Sequence, residues 1–486
     1  MKKILIFPFG PILIFVQYPY IEWQRYLGVY SIFEVHRVAL IVAIGVFSVL
    51  LILAWLTKSW QKAGFIALLL SAFLLMLLSP VISGIIFAAV VLTTILERRI
   101  PYDKLMAFGN IIGVLLIFLT IFSLDIINVQ RRVLDTASGK IENINLIQTP
   151  SIIHIVLDGY GSADTLLDIY NHNNSDFISG LEALGYEVFP NVNTPYNQTL
   201  FVMASVMSGG YISPPNSEEN VNRYRKDLGY TVTNGGIIGA LRNAQYNLSY
   251  SHSGYAYFDL EGAELVTPSG GLTGFETFLF RRFPSIDAKF HNRMIKAALD
   301  PNNFENLRPP FFHYQHVLAP HPPFTLTADG QLRQGSTFLS DGSDFVDGSS
   351  RLRAQYIEGY REKALFVENA ILNQLTAIPD NVPIVVLIHG DHGPGAYFDQ
   401  ERLENTCVEE RMTTFFAAYS NIPEIREAFA KQSKNNFNLV NIYRIILSEI
   451  SDEKYESFPG VRTFLPWDTP SEARLISRNV HTENCE

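Results

Sequence analysis

The chain has 486 residues, of which 48% are hydrophobic, with a formal net charge of −10 and a mean hydropathy of +0.13. That length exceeds one ordinary domain, and that hydropathy is high for a soluble protein. An acidic balance with no basic run excludes a nucleic-acid partner. The only cysteines are Cys407 and Cys485. They support no metal site by spacing, and in an oxidising exterior they can pair if the fold brings them together.

From Ile4 to Val129 the chain is a series of long apolar runs with almost no charge. Five membrane helices are expected in this stretch, 1–129: roughly Ile4 to Tyr18, Val38 to Leu56, Ala63 to Ser79, Val81 to Leu96, and Leu105 to Ile127. The run from Ala63 to Leu96 is about 34 residues, or about 51 Å as one helix, so it must fold back, with Ser79-Pro80 as the break. A signal peptide is the alternative for the first span, since Lys2 and Lys3 precede an apolar core; no small-residue cleavage site follows, which favours a retained anchor. Lys2, Lys3, Lys58, Lys62, Arg98, Arg99 and Lys104 all fall on one side of a five-span arrangement. That side is expected to be cytoplasmic, leaving everything after Ile127 outside.

Residues 130–149 are polar and mixed and read as a linker. Residues 150–486 are expected to form one α/β domain with a mostly parallel central sheet between helices. Ser151–Leu157, ending at Asp158-Gly159, and Pro383–Leu387, ending near Gly390-Asp391, are continuous β-branched runs of the kind buried on both faces; Tyr186–Phe189 is a third strand. Ligands of such sheets gather at the carboxyl ends of strands. From Leu352, positions Tyr356, Tyr360, Ala364, Val367, Ile371 and Leu375 step by three or four, giving a helix with one buried stripe.

Asp158 taken alone reads as a turn residue, because Asp-Gly is a common turn dipeptide. Thr199 falls at a helix start after Pro195 and Asn197, where it is either an N-cap or a nucleophile beside the positive helix end. Three of the chain's 11 histidines, His313, His316 and His321, lie within FFHYQHVLAPHPPF. His313 suits a core position. His321, held extended among prolines, suits ligand or substrate contact, as His316 does more weakly. In LIHGDHGPG, Asp391 and His392 offer a hard oxygen and a borderline nitrogen on a backbone that glycines let bend toward one cation. His389, two residues earlier on the strand, reads as packed and stays outside the metal set.

Together these motifs resemble the alkaline phosphatase and sulfatase superfamily in chain order: strand-Asp158-Gly, Thr199 at a helix start, His321 in Pro-His-Pro-Pro-Phe, and strand-Gly-Asp391-His392-Gly. The apolar amino-terminal spans before an exterior domain narrow the resemblance to the lipoteichoic acid synthase and lipid A phosphoethanolamine transferase group. It covers about Pro150 to Tyr419 and, through the span count, the N-terminal region. The resemblance implies that Asp158, Thr199, Asp391 and His392 hold a divalent metal, Zn or Mn before Mg or Ca, with Thr199 as nucleophile and His321 at the leaving oxygen. His316 and Asn197 are carried as substrate contacts. Two departures stand out: Gly390 occupies a position that usually holds Ser, and Asp158 one where those transferases usually carry Glu. The Cys-x-Pro-x-Arg or Ser-x-Pro-x-Arg string of formylglycine sulfatases is absent around Thr199.

The function expected is a phosphotransferase of the bacterial inner membrane, multi-pass, with its catalytic domain extracytoplasmic. It would move a phosphoethanolamine- or phosphoglycerol-type group from a lipid donor to a cell-envelope glycan or lipid through a phosphothreonine. The alternatives are a phosphoester or sulfate ester hydrolase acting on envelope polysaccharide, and an inactive glycan-binding module.

Overall fold

The computed structural model describes residues 7–25, 32–76, 101–123, 131–135, 141, 144–267, 275–276, 279, 284–333, 350–379, 381–434, 437–476 and 485. The chain divides into two compact units, Met1–Gln130 and Arg131–Glu486.

The first unit contains helices α1 (Phe9–Arg25), α2 (Ile32–Thr57), α3 (Trp60–Met76) and α4 (Tyr102–Ser123). Apolar side chains such as Ile44, Phe47 and Ile52 on α2 and Ile111, Val114 and Phe118 on α4 are exposed, the inverse of a soluble bundle. Two of its buried polar side chains meet the main chain: Asn110 accepts from the Gly10 amide at 2.7 Å and donates to the Phe7 carbonyl at 2.8 Å, and Gln17 donates to the Leu116 carbonyl at 3.2 Å. The expectation of five spans is corrected here. Among the described residues two helices, Ile32–Thr57 and Tyr102–Leu119, are long and apolar enough to cross a membrane. The helix α1 has 17 residues, and α3 is described from Trp60 to Met76. The expected Val81 to Leu96 span and the Ser79-Pro80 break lie outside the described residues.

The second unit is built on a seven-stranded sheet of order β2-β7-β6-β1-β5-β3-β4. Its strands are β1 (Ser151–Leu157), β2 (Glu187–Asn193), β3 (Asn247–Ser251), β4 (Glu264–Thr267), β5 (Phe311–Val317), β6 (Ile384–Gly390) and β7 (Thr413–Ser420). Only β7 runs against the others, pairing antiparallel with both β2 and β6. Every residue of β1, β5 and β6 is buried, as expected for strands covered on both faces. Alternate residues feed two cores: Ile152, Val156, Val385 and Leu387 pack on one side, and Ile153, Ile155, Val386 and Ile388 on the other.

Three helices matter for the site: α5 (Thr199–Ser208), α6 (Ser350–Leu375) and α7 (Val408–Arg411). The α6 stripe from Tyr356 to Leu375 is buried in the second core; filling such a position stabilises by ~1.5–3 kcal/mol per large side chain. The segment read as a linker is partly built into this unit. Leu134 and Ile141 are buried, the Leu134 amide donates to Thr231 Oγ1 at 2.9 Å, and Arg132 pairs with Asp227 at 3.0 Å. Cys407 and Cys485 form a disulfide across a separation of 78 residues.

Candidate active site

Parallel pairing places Leu157 opposite Gly390, so Asp158 and Asp391 leave neighbouring strands at the same level. Gly159 has φ +75°, a conformation that costs a side-chain-bearing residue. This turn aims the Gly159 amide at Asp391 Oδ1, 2.9 Å away. From β5, His316 Nε2 donates to Asp158 Oδ2 at 3.1 Å. The remaining oxygens, Asp158 Oδ1 and Asp391 Oδ2, are buried and have no hydrogen-bond partner among the described residues.

His392 completes this corner. Its Nδ1 lies 2.9 Å from the Gly393 carbonyl, which can only accept, so Nδ1 carries the proton and Nε2 is a lone pair. Burial and then the Arg411 guanidinium push the imidazole down to about 4, so it is neutral at pH 7. Nε2 faces Thr199 Oγ1 at 3.0 Å, Arg411 Nη2 at 3.0 Å and Asp391 Oδ2 at 3.3 Å. Burial alone would raise the Asp158 carboxyl, but His321, His316 and His392 outweigh it and hold the group below the ordinary carboxylate range.

Ligand atoms of Asp158, Asp391 and His392 lie within 4.8 Å of one another, and all three residues are buried. Two buried carboxylate oxygens without donors, facing an imidazole lone pair, are costly unless a positive charge is shared among them. Two oxygens and one nitrogen, with the Thr199 hydroxyl beside them, fit Zn or Mn.

Thr199 is the first residue of α5, and Gln198 is its N-cap, without a side-chain cap bond. The threonine hydroxyl is therefore not used as a cap and points to His392 instead. The chain before it is pinned: Asn197 Nδ2 donates to the Leu465 carbonyl at 3.0 Å while Asn197 Oδ1 accepts from the Leu465 amide at 2.8 Å. Asn197, expected to contact substrate, thus meets the Leu465 main chain with both ends of its amide. Thr194, the nearest rival nucleophile, is buried and donates to the Tyr196 carbonyl at 3.0 Å.

His321 stands on the other wall. Its amide donates to the Asp158 carbonyl at 2.9 Å, and its ring centroid is 6.5 Å from that of His392. Nδ1 donates to the Pro322 carbonyl at 2.7 Å, leaving Nε2 for proton transfer. Lys363, fully buried on α6, donates to the carbonyls of Leu318 at 2.9 Å, His321 at 2.5 Å and Pro323 at 3.3 Å, so one amino group gathers the loop.

His316, also expected as a substrate contact, lies on β5. It is buried, stacks on Phe258 with centroids 4.0 Å apart, and touches the Asp158 carboxylate rather than the cleft. His313 lies in the core between Ser249 Oγ at 2.9 Å and Ser251 Oγ at 3.2 Å. His389 turns into the sheet, where its Nε2 is 2.7 Å from His154 Nε2.

Two residues that the sequence reading passed over hold the site. Lys363 falls on the α6 stripe seven positions after Tyr356, and a lone charge on an apolar stripe is the signal that marks it. Arg411 has no such signal, since α7 is only four residues long. Its neighbour Glu410 accepts from the amides of Ala396 and Tyr397, each at 2.8 Å, and so fixes the loop beyond His392.

No family model matches the chain, and no curated protein matches it. Several solved structures are similar. The integral membrane lipooligosaccharide phosphoethanolamine transferase A from Neisseria meningitidis is 12% identical, with 82% of this chain and 69% of that one covered and a TM-score of 0.38. The C-terminal periplasmic domain of EcEptC from Escherichia coli, solved in complex with Zn, is 12% identical over 66% of this chain and 87% of that one, with a TM-score of 0.38. The phosphonate monoester hydrolase of Agrobacterium radiobacter is 11% identical over 61% and 72%, with a TM-score of 0.33. Likeness at this level carries no weight for activity, which has to be reasoned from the side chains.

Proposed function

We propose that the chain is a metal-dependent transferase of phospho-alcohol groups, membrane-anchored with its α/β unit outside the cytoplasm. The observation that carries this reading is the Thr199 hydroxyl, unneeded as a cap, 3.0 Å from a neutral His392 lone pair beside two buried carboxylate oxygens that lack donors.

Asp158, Asp391, His392 and Thr199 Oγ1 would hold a divalent cation, whose positive charge favours the threonine alkoxide and offsets charge that develops on the transferred group. The protein's own groups do the rest. The α5 N-terminus adds its dipole to stabilise negative charge on Thr199. Thr199 Oγ1 bonds to phosphorus as the bond to the donor's alcohol oxygen breaks, giving a phosphothreonine. His321 protonates the departing oxygen and then takes the proton of the acceptor hydroxyl that releases Thr199. Lys363 holds the His321 loop in place throughout.

The donor is a phosphoethanolamine- or phosphoglycerol-type lipid, and the acceptor a glycan or lipid of the bacterial envelope. The exposed apolar faces of α2 and α4 favour transfer from a lipid over hydrolysis of a soluble ester. The Cys407–Cys485 disulfide supports an α/β unit outside the cytoplasm, where thiols are oxidised.

Mass spectrometry of the full chain after incubation with bacterial lipid extract should show a phosphorylated or phospho-alcohol adduct on Thr199 that is missing in Thr199→Ala, with turnover lost ~10⁴-fold or more. Unmodified Thr199 at full turnover would overturn the covalent scheme.

A further inference from the structure

Arg411 sits at the end of α7, half-buried, with its guanidinium laid over the Phe398 ring at 4.3 Å. Nε donates to the Asn197 carbonyl at 3.0 Å and Nη1 to the Gly393 carbonyl at 3.2 Å. The fork therefore joins the residue two before Thr199 to the residue after His392. Of five N–H donors, these contacts and the one from Nη2 to His392 Nε2 at 3.0 Å take three.

The last contact decides the matter. His392 Nε2 has one lone pair, and both Thr199 Oγ1 and Arg411 Nη2 lie 3.0 Å from it. That lone pair is also the one His392 would give to a cation. Once it is given, neither donor can keep its bond, and a charged Nη2–H beside Thr199 needs another acceptor. The carboxylates are poor candidates, because Asp158 Oδ1 and Asp391 Oδ2, buried and without donors, would be given to the same cation. The remaining acceptor is an anionic oxygen on whatever group is presented to Thr199.

We infer that Arg411 binds a non-bridging oxygen of the tetrahedral anionic ester at Thr199 and so selects a charged phosphoryl or sulfuryl centre over a neutral carbonyl ester. This rests on the transferase reading of the same site. Its backbone bonds through Nε and Nη1 preset the fork, so that Nη2 turns to the ligand with little loss of side-chain freedom. Because those bonds also tie Asn197 to Gly393, the group that meets the anion is the one that sets the spacing between nucleophile and imidazole.

The test uses the full chain in detergent, saturated with Zn, with inorganic phosphate as probe, calorimetry for affinity and elemental analysis for metal. Arg411→Gln should keep the wild-type metal content and bind phosphate roughly 10- to 100-fold more weakly. Arg411→Lys, which keeps the charge without the fork, should recover part of that loss. If Arg411→Gln does not fold, Arg411→Lys is read alone and should still bind phosphate several-fold more weakly. Equal phosphate affinity in the folded variants, or a loss of metal in place of phosphate, would overturn the inference and leave Arg411 as a clasp on the backbone. A wild type that takes up no divalent metal overturns the transferase reading and the inference with it. A wild type that binds both metal and phosphate, beside an unaffected variant, overturns the inference alone.

Discussion

The end of β6 and the loop from Leu318 to Phe324 each deliver one imidazole to the same cleft, by different means. His392 is held by its own neighbourhood: a strand paired on both sides and a carbonyl one residue away. His321 lies among prolines with no strand or helix to hold it, and its loop is gathered by the single side chain of Lys363. One position is fixed by strand pairing, and the other by the contacts of Lys363 together with the bond from the His321 amide to the Asp158 carbonyl. In the proposed chemistry that division matches the tasks, since a ligand must be set before substrate arrives, whereas an acid must meet a substrate oxygen.

Changes at the two places should therefore separate in what they cost. Asp391→Asn should lose stoichiometric metal and reduce turnover by about 10⁴-fold, scored by elemental analysis and a lipid-donor assay. His321→Asn should keep the metal and lower turnover about 10²- to 10⁴-fold. Loss of metal there would show that the two walls are one unit. Lys363→Met should keep the metal too and lower kcat about 10- to 100-fold, with a displaced pH–rate profile; wild-type kcat and profile would mean that the prolines suffice to hold the loop.

The smallest effect belongs to the sheet beneath both. Burial pushes His313 from 6.5 down to about 3, so the unfolded chain takes up a proton there before the folded one does. Its contribution to stability is intact above about pH 6.5 and is lost as the pH falls toward 3. His313→Gln should flatten the fall in unfolding free energy over that window, by up to about a few kcal/mol in denaturant titrations, while leaving turnover unchanged. An unchanged acid slope would place the proton uptake elsewhere.

What the sequence disclosed follows from which forces are local. Ser151–Leu157 and Pro383–Leu387 are legible because strands buried on both faces must be apolar at every position, and Asp391-His392 because two ligand-type residues among glycines at a strand end have little structural use. FFHYQHV was harder. Its histidines stood out, while the partners that mark it as a buried strand, Ser249 and Asp158, lie 64 and 158 residues away. Asn197 meets the same limit, since Leu465, which bonds both ends of its amide, lies 268 residues on. Of the five expected membrane spans, two helices among the described residues are long and apolar enough to cross, because hydropathy records apolarity without recording helix length.

The bond between Cys407 and Cys485 bears on when the cleft becomes complete. Cys407 is the N-cap of α7, accepting from the Glu410 amide, so the staple ends on the turn that carries Glu410 and Arg411. A crosslink over 78 residues restricts the unfolded chain by roughly 4 kcal/mol, and it persists only where thiols are oxidised. Newly made chains still in a reducing compartment would lack it, and the rim that holds Arg411 would gain its final fastening on export, at the place where a lipid donor is first within reach.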